Sequence, residues 1–376
     1  ILITTKKTTG NGLQFSLDAA TTIQRIPKHV PMLDISQYRA MRRKGFANDD
    51  VEIDSTNAPD LVLWDSTVNH DWQKEYFNKA ALMHNVQFSA GAGGNYNSFR
   101  LAAGYGSQST IYNSRSGLRK GNFSFSGNHN SKDGKLQTNV ILGYSADHND
   151  VIPMSLTSFI ALPPNFNLYN ADGSLNWSLA NTAGNPIAAQ KSTFYNQTRS
   201  FTSSINASYL LGKGWEAKIT AGYNRMQLNE FGKNPLASQP PGSYALANAQ
   251  KGNNITYTLN IEPQLTYTFT SGKNHFDVLL GGTYMKTLHE MKSQYATGFT
   301  NDDDLADFSK AEAVNYYYSE GTYKFMSGFT RLSYNYDEKY VLNLTGRRDG
   351  SSRFGPGRKY GNFGSIGAAW NFSSER

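Results

Sequence analysis

Apolar and polar residues alternate with a period of two over long stretches of this chain. In the segment 255–269, apolar residues from Ile255 to Phe269 occupy one parity, and polar residues such as Thr256 and Thr258 occupy the other. Successive side chains of a β-strand point to opposite faces, so this pattern predicts a strand with one apolar and one polar face. The segment is much longer than the ~5 to 6 residues of a typical soluble strand.

The same alternation recurs along the chain and predicts about twelve strands. The alternation is weakest in the first of these strands. Two alternating runs flank a turn at 212–214, which predicts a β-hairpin. The predicted strands cover residues 12–25, 83–94, 97–107, 119–130, 135–147, 201–211, 215–224, 255–269, 274–288, 322–336, 340–348 and 361–373.

The links between these strands alternate between short and long. Outer-membrane barrels have this asymmetry, with tight periplasmic turns and longer extracellular loops. We therefore predict an all-β fold, a transmembrane antiparallel up-and-down β-barrel. Short links are predicted near 94–96, 131–134, 212–214, 271–273 and 337–339, and long links at 26–82, 108–118, 148–197, 231–253, 289–320 and 349–360.

Composition agrees with this interpretation. Aromatic residues make up 13% of the chain, and the mean hydropathy is -0.55. No stretch approaches the ~18 to 20 apolar residues of a membrane helix, whereas a barrel strand keeps a low average hydropathy because it alternates. The 36 Lys and Arg residues are scattered despite a net charge of +7, which favours a solvated surface over nucleic-acid binding.

Aromatic residues gather near the predicted strand ends, as at Tyr336 and Tyr340 and at Phe269 and Phe276. A membrane-interface girdle predicts this placement. The alternative is a large soluble β-sandwich or β-solenoid with core aromatics, but a sandwich gives no reason for every second link to be long. About twelve strands would leave two open edges unless they close as a small barrel or pair with further strands.

Candidate catalytic chemistry is sparse. The chain has no cysteine, which excludes disulfides, cysteine-based zinc sites and thiol nucleophiles. None of the seven histidines is paired at i, i+4 or beside a nucleophile elbow, so we predict no enzyme, no catalytic residue and no cofactor. Carboxylates of Asp302, Asp303, Asp304 and Asp307 could bind calcium, but the segment lacks EF-hand spacing, and a solvated acidic loop without a metal is favoured.

The segment 341–372, VLNLTGRRDGSSRFGPGRKYGNFGSIGAAWNF, closely resembles a signature of the SusC/RagA family of TonB-dependent outer-membrane transporters. The start at 1–7 resembles that family's last plug strand. The segments 70–85 and 275–282 resemble the approach to the second barrel strand and a mid-barrel strand. The resemblance implies that residues 1–7 end a plug domain and that 8–376 form the N-terminal half of a barrel, about twelve of about twenty-two strands.

The resemblance also implies a function in the outer membrane of Bacteroidetes. Members of the family import oligosaccharides or peptides together with a SusD-like lipoprotein, and TonB supplies the energy through a segment expected to lie outside this chain. The resemblance further implies contacts between the chain and outer-membrane lipid, and between the chain and its oligosaccharide or peptide substrate. A passive porin or a surface adhesin built on the same barrel is the alternative, and a hydrolase is a minor one.

Three aromatic residues in predicted loops, Trp64, Tyr169 and Trp177, could stack on substrate sugar rings. The alternative is that they pack the loops or contact the lipoprotein, since long folded loops need small apolar cores of their own. The charged motif of Arg347, Arg348, Asp349 and Arg353 beside a Gly-Pro-Gly turn is interpreted as a structural loop held by ion pairs and tight turns.

Overall fold

The computed structural model describes residues 12–77, 79–112, 116–153, 156–179, 184–242 and 245–374. The predicted plug strand at 1–7 lies outside the described residues. In the described part of the chain, twelve strands form one antiparallel sheet, and each strand pairs with its neighbours in sequence. The strands are β1 Gly12–Gln24, β2 Ala81–Gly93, β3 Asn97–Ser109, β4 Gly117–Asn130, β5 Leu136–Val151, β6 Thr193–Gly212, β7 Trp215–Asn234, β8 Ala247–Ser271, β9 Asn274–Phe299, β10 Ala313–Tyr336, β11 Tyr340–Ser351 and β12 Tyr360–Trp370.

The predicted up-and-down order is therefore confirmed. The two sheet edges, β1 and β12, are not paired with each other within the described ranges. Edge side chains are open to solvent, as in β1, where Leu17 is 70% exposed, and in β12, where Ile366 is 80% exposed.

Within the described strands, the pairing register shifts only near strand ends, at 210–212 and at 247–248, so the sheet has two chemically distinct faces. Tyr223 of β7 pairs with Leu259 of β8, and in the next strand Ile261 of β8 pairs with Tyr284 of β9. We call this apolar side the outer face. Leu259 is 36% exposed and no second sheet covers it in the described structure, which excludes the two-layered sandwich.

The opposite, inner face consists mainly of hydrogen-bonding side chains. Asn128 bridges neighbouring strands, because it donates to Ser98 Oγ at 3.2 Å and accepts from Asn139 Nδ2 at 2.9 Å. Thr220 Oγ1 donates to Asn206 Oδ1 at 2.9 Å in the same way. Cross-strand pairs are the unit of sheet stabilisation, so these contacts build a continuous polar wall.

Aromatic rings line the outer face at the end of the sheet that carries the short turns. Trp215 lies over Tyr267 with ring centroids 4.5 Å apart, and Phe276 stacks on Tyr334 at 4.6 Å. Rings with both apolar and polar character are most favourable at the headgroup level of a membrane. We call this row of outer-face rings the girdle; its place at the strand ends agrees with the sequence pattern.

The short links are tight turns, as predicted, and every long link lies at the other end of the sheet. Gly214 has a φ of +86°, a conformation that glycine adopts without steric cost. Neighbouring turns are joined by an ion pair between Lys273 Nζ and Asp337 Oδ2 at 2.7 Å.

Three predicted loops were wrong in their extent. In the segment 148–197, strand β5 continues to Val151 and β6 begins at Thr193. The segment 231–253 is loop only between Asn234 and Ala247, and the segment 289–320 is loop only between Phe299 and Ala313. Strand pairing continues through the remainder. The alternation fades there because both faces become polar, while backbone hydrogen bonds still hold the strands together.

The loops contain the only helices among the described residues. None of these helices is long and apolar enough to cross a membrane. The α-helices are α1 Ile35–Asn48, α2 Pro59–Val62, α3 Trp72–Phe77 and α4 Pro186–Ala189, and the 3-10 turns are Leu156–Ala161, Leu236–Ser238, Asp302–Ala306, Phe308–Lys310 and Phe372–Ser374.

Candidate functional site

The long loops fold against one another at their end of the sheet. Residues of α3 and of the loop between β5 and β6 form a buried apolar cluster, which we call the loop cluster. Phe166 is fully buried at its centre and Phe159 is 1% exposed. The loop cluster comprises Trp72, Tyr76, Phe77, Phe159, Leu162, Phe166 and Ala189.

Hydrogen bonds to backbone carbonyls fix the loop cluster. The Trp72 indole Nε1 donates to the carbonyl oxygen of Leu162 at 3.1 Å, and the His70 amide donates to that of Pro164 at 2.7 Å. Buried Asn165 donates through Nδ2 to the carbonyl of Asp60 at 2.9 Å. Because buried polar groups are costly when unpaired, these bonds define one arrangement of the two loops.

Asp60 is buried in the first long loop, where it accepts hydrogen bonds from two neighbouring side chains. Arg42 donates two hydrogen bonds to its carboxylate, Nε to Oδ2 at 3.0 Å and Nη2 to Oδ1 at 3.1 Å, and the Tyr38 hydroxyl donates at 2.9 Å. Burial alone raises the pKa of Asp60, but the bonds from Arg42 and Tyr38 outweigh it and hold the pKa below its ordinary value. The same arrangement raises the pKa of Tyr38 through burial and its bond to Asp60.

The three predicted stacking residues occupy different surroundings. Trp64 packs against the loop cluster, with its ring centroid 5.4 Å from that of Phe166, as the loop-packing alternative described. Tyr169 is 50% exposed and forms a β-bridge with Leu175. Trp177 follows that bridge and is half-buried. Of the three, Tyr169 therefore has the ring face most open to a ligand.

A second apolar cluster joins the loops that follow β7 and β9. It contains Phe299 and Leu305, and Asp302 accepts from the backbone amides of Leu236 at 2.6 Å and Ala237 at 3.1 Å. Within the described ranges, no three His, Asp or Glu side chains are arranged to hold a metal ion. Asp302 thus caps a neighbouring loop, a role that sequence reasoning missed.

Sequence reasoning also missed aromatic residues on the inner face near the long loops. Tyr295, Tyr317 and Tyr323 occupy inner register positions of β9 and β10, and Tyr317 is 57% exposed. The Arg353 guanidinium lies 4.6 Å from the centroid of the Tyr323 ring. We call these three tyrosines the inner tyrosines. The sequence signal for these residues was the run Tyr316, Tyr317, Tyr318. It was missed because the segment 289–320 was predicted to be a loop.

A small cavity of ≈ 250 Å³ lies between β6, β7, β8 and the loop that joins β5 to β6. Phe194, Gly232 and Gln250 on inner register positions line it, together with Pro153 and Ala189 from the loop between β5 and β6. The cavity therefore places inner-wall groups directly below folded loop residues. Its lining is apolar with a few amide groups, but its volume is below the ~300 to 1,000 Å³ of typical ligand pockets.

Most of the charged motif lies in a strand and not in the predicted structural loop. Arg347, Arg348 and Asp349 belong to β11, and only Arg353 follows that strand. Arg347 Nε pairs with Asp349 Oδ1 at 2.5 Å, and the Arg348 guanidinium lies 5.1 Å from the Tyr360 ring centroid. Gly357 has a φ of +78° in the turn to β12. The segment that carries the family resemblance thus consists mainly of β11, β12 and the turn between them.

Comparisons with known proteins agree with this geometry. No family model matches the chain. Its whole length is 26% identical to TonB-dependent receptor P3 and 28% identical to TonB-dependent receptor P26, both of Formosa agariphila. A segment that makes up 32% of the chain is also 28% identical to part of TonB-dependent receptor SusC of Bacteroides thetaiotaomicron. The solved RagAB peptide transporter matches 98% of the chain with a TM-score of 0.75 and 17% identity.

The chain is SusC/RagA-like. It spans 37% and 38% of the two Formosa receptors, 12% of SusC and 45% of the matched RagAB chain. The predicted all-β barrel fold and outer-membrane location of this SusC/RagA-like chain are confirmed by the fold and these relatives. Their names are those of receptors and transporters, in agreement with the prediction that the chain is not an enzyme.

Proposed function

We propose that this SusC/RagA-like chain forms part of the wall of a TonB-dependent importer of oligosaccharides or peptides. The continuous polar wall of the inner face is the observation that carries the proposal. Its side chains offer paired donors and acceptors, such as Asn128 and Thr220, while the outer face is apolar. Polar substrates need hydrogen-bonding groups along their path, because desolvated polar groups without partners are costly.

The domain division predicted from the resemblance is part of this proposal. Residues 1–7 end a plug domain, 8–376 contribute barrel wall, and TonB acts through a segment outside this chain. The relatives named as TonB-dependent receptors support energy coupling.

A SusD-like lipoprotein is the proposed partner at the long-loop end. The first long loop exposes several large apolar side chains, including Val30, Met41 and Leu63, which are 60%, 60% and 65% exposed. Exposed apolar groups gathered in one region mark interaction surfaces. The loop cluster beneath them holds this surface in a fixed shape, which reduces the entropy lost on binding.

Substrate contact is proposed at Tyr169 and Trp177 in the loops and at the inner tyrosines on the wall. A flat ring stacks on a sugar ring or a peptide plane while its hydroxyl or indole nitrogen stays hydrogen-bonded. Trp64 remains a weaker candidate, because its ring packs on Phe166.

Uptake in a deletion strain tests the proposal. The strain, complemented with the wild-type gene, is supplied with labelled oligosaccharides and peptides, with and without a functional TonB. We expect concentrative uptake of one class that disappears without TonB. Uptake that persists without TonB would identify a passive porin, and normal uptake with lost surface attachment in the deletion strain would identify an adhesin.

Neighbouring tyrosines give a matched pair for the wall contact. Tyr317 is on the inner face and Tyr316 on the outer face of β10, and both are exposed. Tyr317→Ala should raise the half-saturating substrate concentration about three- to tenfold, as loss of a ~1 kcal/mol aromatic contact implies. Tyr316→Ala should leave it unchanged. Equal effects of the two substitutions would contradict substrate contact at the inner tyrosines.

A further inference from the structure

Two lysines face each other on the apolar outer face of the sheet. Lys286 of β9 and Lys324 of β10 are direct cross-strand partners, and both are exposed. The next outer-face pair of the same two strands, toward the short turns, is Tyr284 with Met326. On its other side, Lys286 pairs with Leu259 of β8. The two ammonium groups thus stand among residues of the lipid-facing surface.

No acidic side chain of the described structure lies within ion-pairing distance of either lysine. The nearest outer carboxylates along the two strands are engaged elsewhere: Glu290 pairs with Lys292, and Glu320 accepts from the Tyr318 hydroxyl at 2.6 Å. Like charges directly opposite each other destabilise a sheet. An anion between them would remove this repulsion.

The position of the lysine pair along the strands matches a membrane boundary. Phe276 and Tyr334, the stacked pair of the girdle, are partners in the same two strands, ten residues before Lys286 and ten after Lys324. Ten residues at ~3.3 Å each, tilted by ~40°, rise about 25 Å, which is the height of the apolar band of outer-membrane barrels. The lysines therefore stand at the far edge of the hydrocarbon, level with the headgroups of the outer leaflet.

We propose that Lys286 and Lys324 together bind the phosphate of an outer-leaflet lipid. Both ammonium groups donate charge-assisted hydrogen bonds to the phosphate oxygens, and the acyl chains lie along Tyr284, Met326 and Leu259 below. The lysine stems cross the apolar surface while their charged ends reach the headgroup layer, as lysines at membrane interfaces do. The site lies on the opposite face of the wall from the proposed substrate path.

Native mass spectrometry of the detergent-purified outer-membrane protein tests the site. The probe is dioleoyl phosphatidic acid, and dioleoylglycerol serves as the same lipid without phosphate. We expect phosphatidic acid to bind with defined stoichiometry and dioleoylglycerol not to bind. Lys286→Gln with Lys324→Gln should weaken phosphatidic acid binding about tenfold, as expected for loss of two charge-assisted bonds.

Matched variants separate charge from position. Lys120→Gln with Lys218→Gln removes two exposed lysines from inner register positions and should leave lipid binding unchanged. Lys286→Arg with Lys324→Arg keeps both charges and should retain binding, which would show that binding depends on positive charge at these two positions.

Three results would overturn the proposal. These are unchanged phosphatidic acid binding in the double glutamine variant, equal binding of dioleoylglycerol, and equal loss of binding in the inner-face control. Competition gives a further outcome: if millimolar inorganic phosphate displaces the lipid completely, the pair is a free-phosphate site and the lipid assignment is wrong.

Discussion

Arg42 and Asp60 form a two-pronged ion pair within the first long loop, at 3.0 and 3.1 Å. The Asp60 side chain is 5% exposed, whereas that of Arg42 is 39% exposed. The pair joins α1 to α2. Two further bonds attach α1 to the loop, from Arg39 Nη2 to the Leu61 carbonyl at 3.3 Å and from the Ile35 amide to Asn69 Oδ1 at 2.9 Å.

Asp60→Asn should weaken the attachment of α1 to the rest of the loop. Breaking a fully buried ion pair costs ~3 to 5 kcal/mol, and the partial exposure of Arg42 reduces the expected cost here to about 1 to 3 kcal/mol. Hydrogen exchange of the α1 amides measures this as faster local opening. Asp65→Asn, in an exposed turn of the same loop, is the control and should not change exchange in α1.

The same carboxylate predicts a pH dependence. The pKa of Asp60 is lower in the folded loop than in the unfolded chain, so its stabilising contribution is complete above the unfolded value of about 3.9 and is lost as the pH falls through the folded value. The protection factors of the α1 amides, which are corrected for the intrinsic pH dependence of exchange, should fall below about pH 4 and stay constant above it. The Asp60→Asn variant should lose this acid-induced step; a step of unchanged size in that variant would assign the titration to another group.

Adjacent leucines of β9 test the two faces of the sheet. Leu280 is on the outer face and 51% exposed, while Leu279 points inward and pairs with Arg331. Leu280→Arg should lower the free energy of unfolding in lipid by about 2 to 4 kcal/mol, the cost of a cation near the middle of the bilayer. Leu279→Arg should cost less, because its guanidinium meets water and only repulsion from Arg331, worth ~0.2 to 1 kcal/mol, opposes it. Urea unfolding in liposomes compares the two variants. Equal costs would argue against a lipid-facing outer surface.

Two turn glycines should respond differently to substitution. A Cβ on Gly214 would lie 2.0 Å from the carbonyl oxygen of Thr268, whereas one on Gly272 would meet nothing within 4 Å, although both have a positive φ. Gly214→Ala should therefore cost about 1 to 2 kcal/mol more than Gly272→Ala, because backbone must move in addition to the conformational strain. Urea unfolding of the two variants measures the difference, and equal midpoints would contradict it.

The sequence by itself determined the repeating part of this protein. A strand between lipid and water must alternate, so the period of two revealed the twelve strands, their order, and which side chains face outward, as for Leu259 and Tyr284. Link lengths revealed which end carries the loops. Strand ends beyond the membrane were missed, because alternation stops where both faces meet water while strand pairing continues.

Only the tertiary structure decided how the loops fold and which side chains come together there. Trp72 meets Leu162 across 90 positions of sequence and Arg42 reaches Asp60 across 18, and no periodicity encodes such contacts. Likewise, only the register between β9 and β10 shows that Lys286 and Lys324 are cross-strand partners. Local patterns specify the direction of each side chain, whereas its partners depend on packing between distant segments.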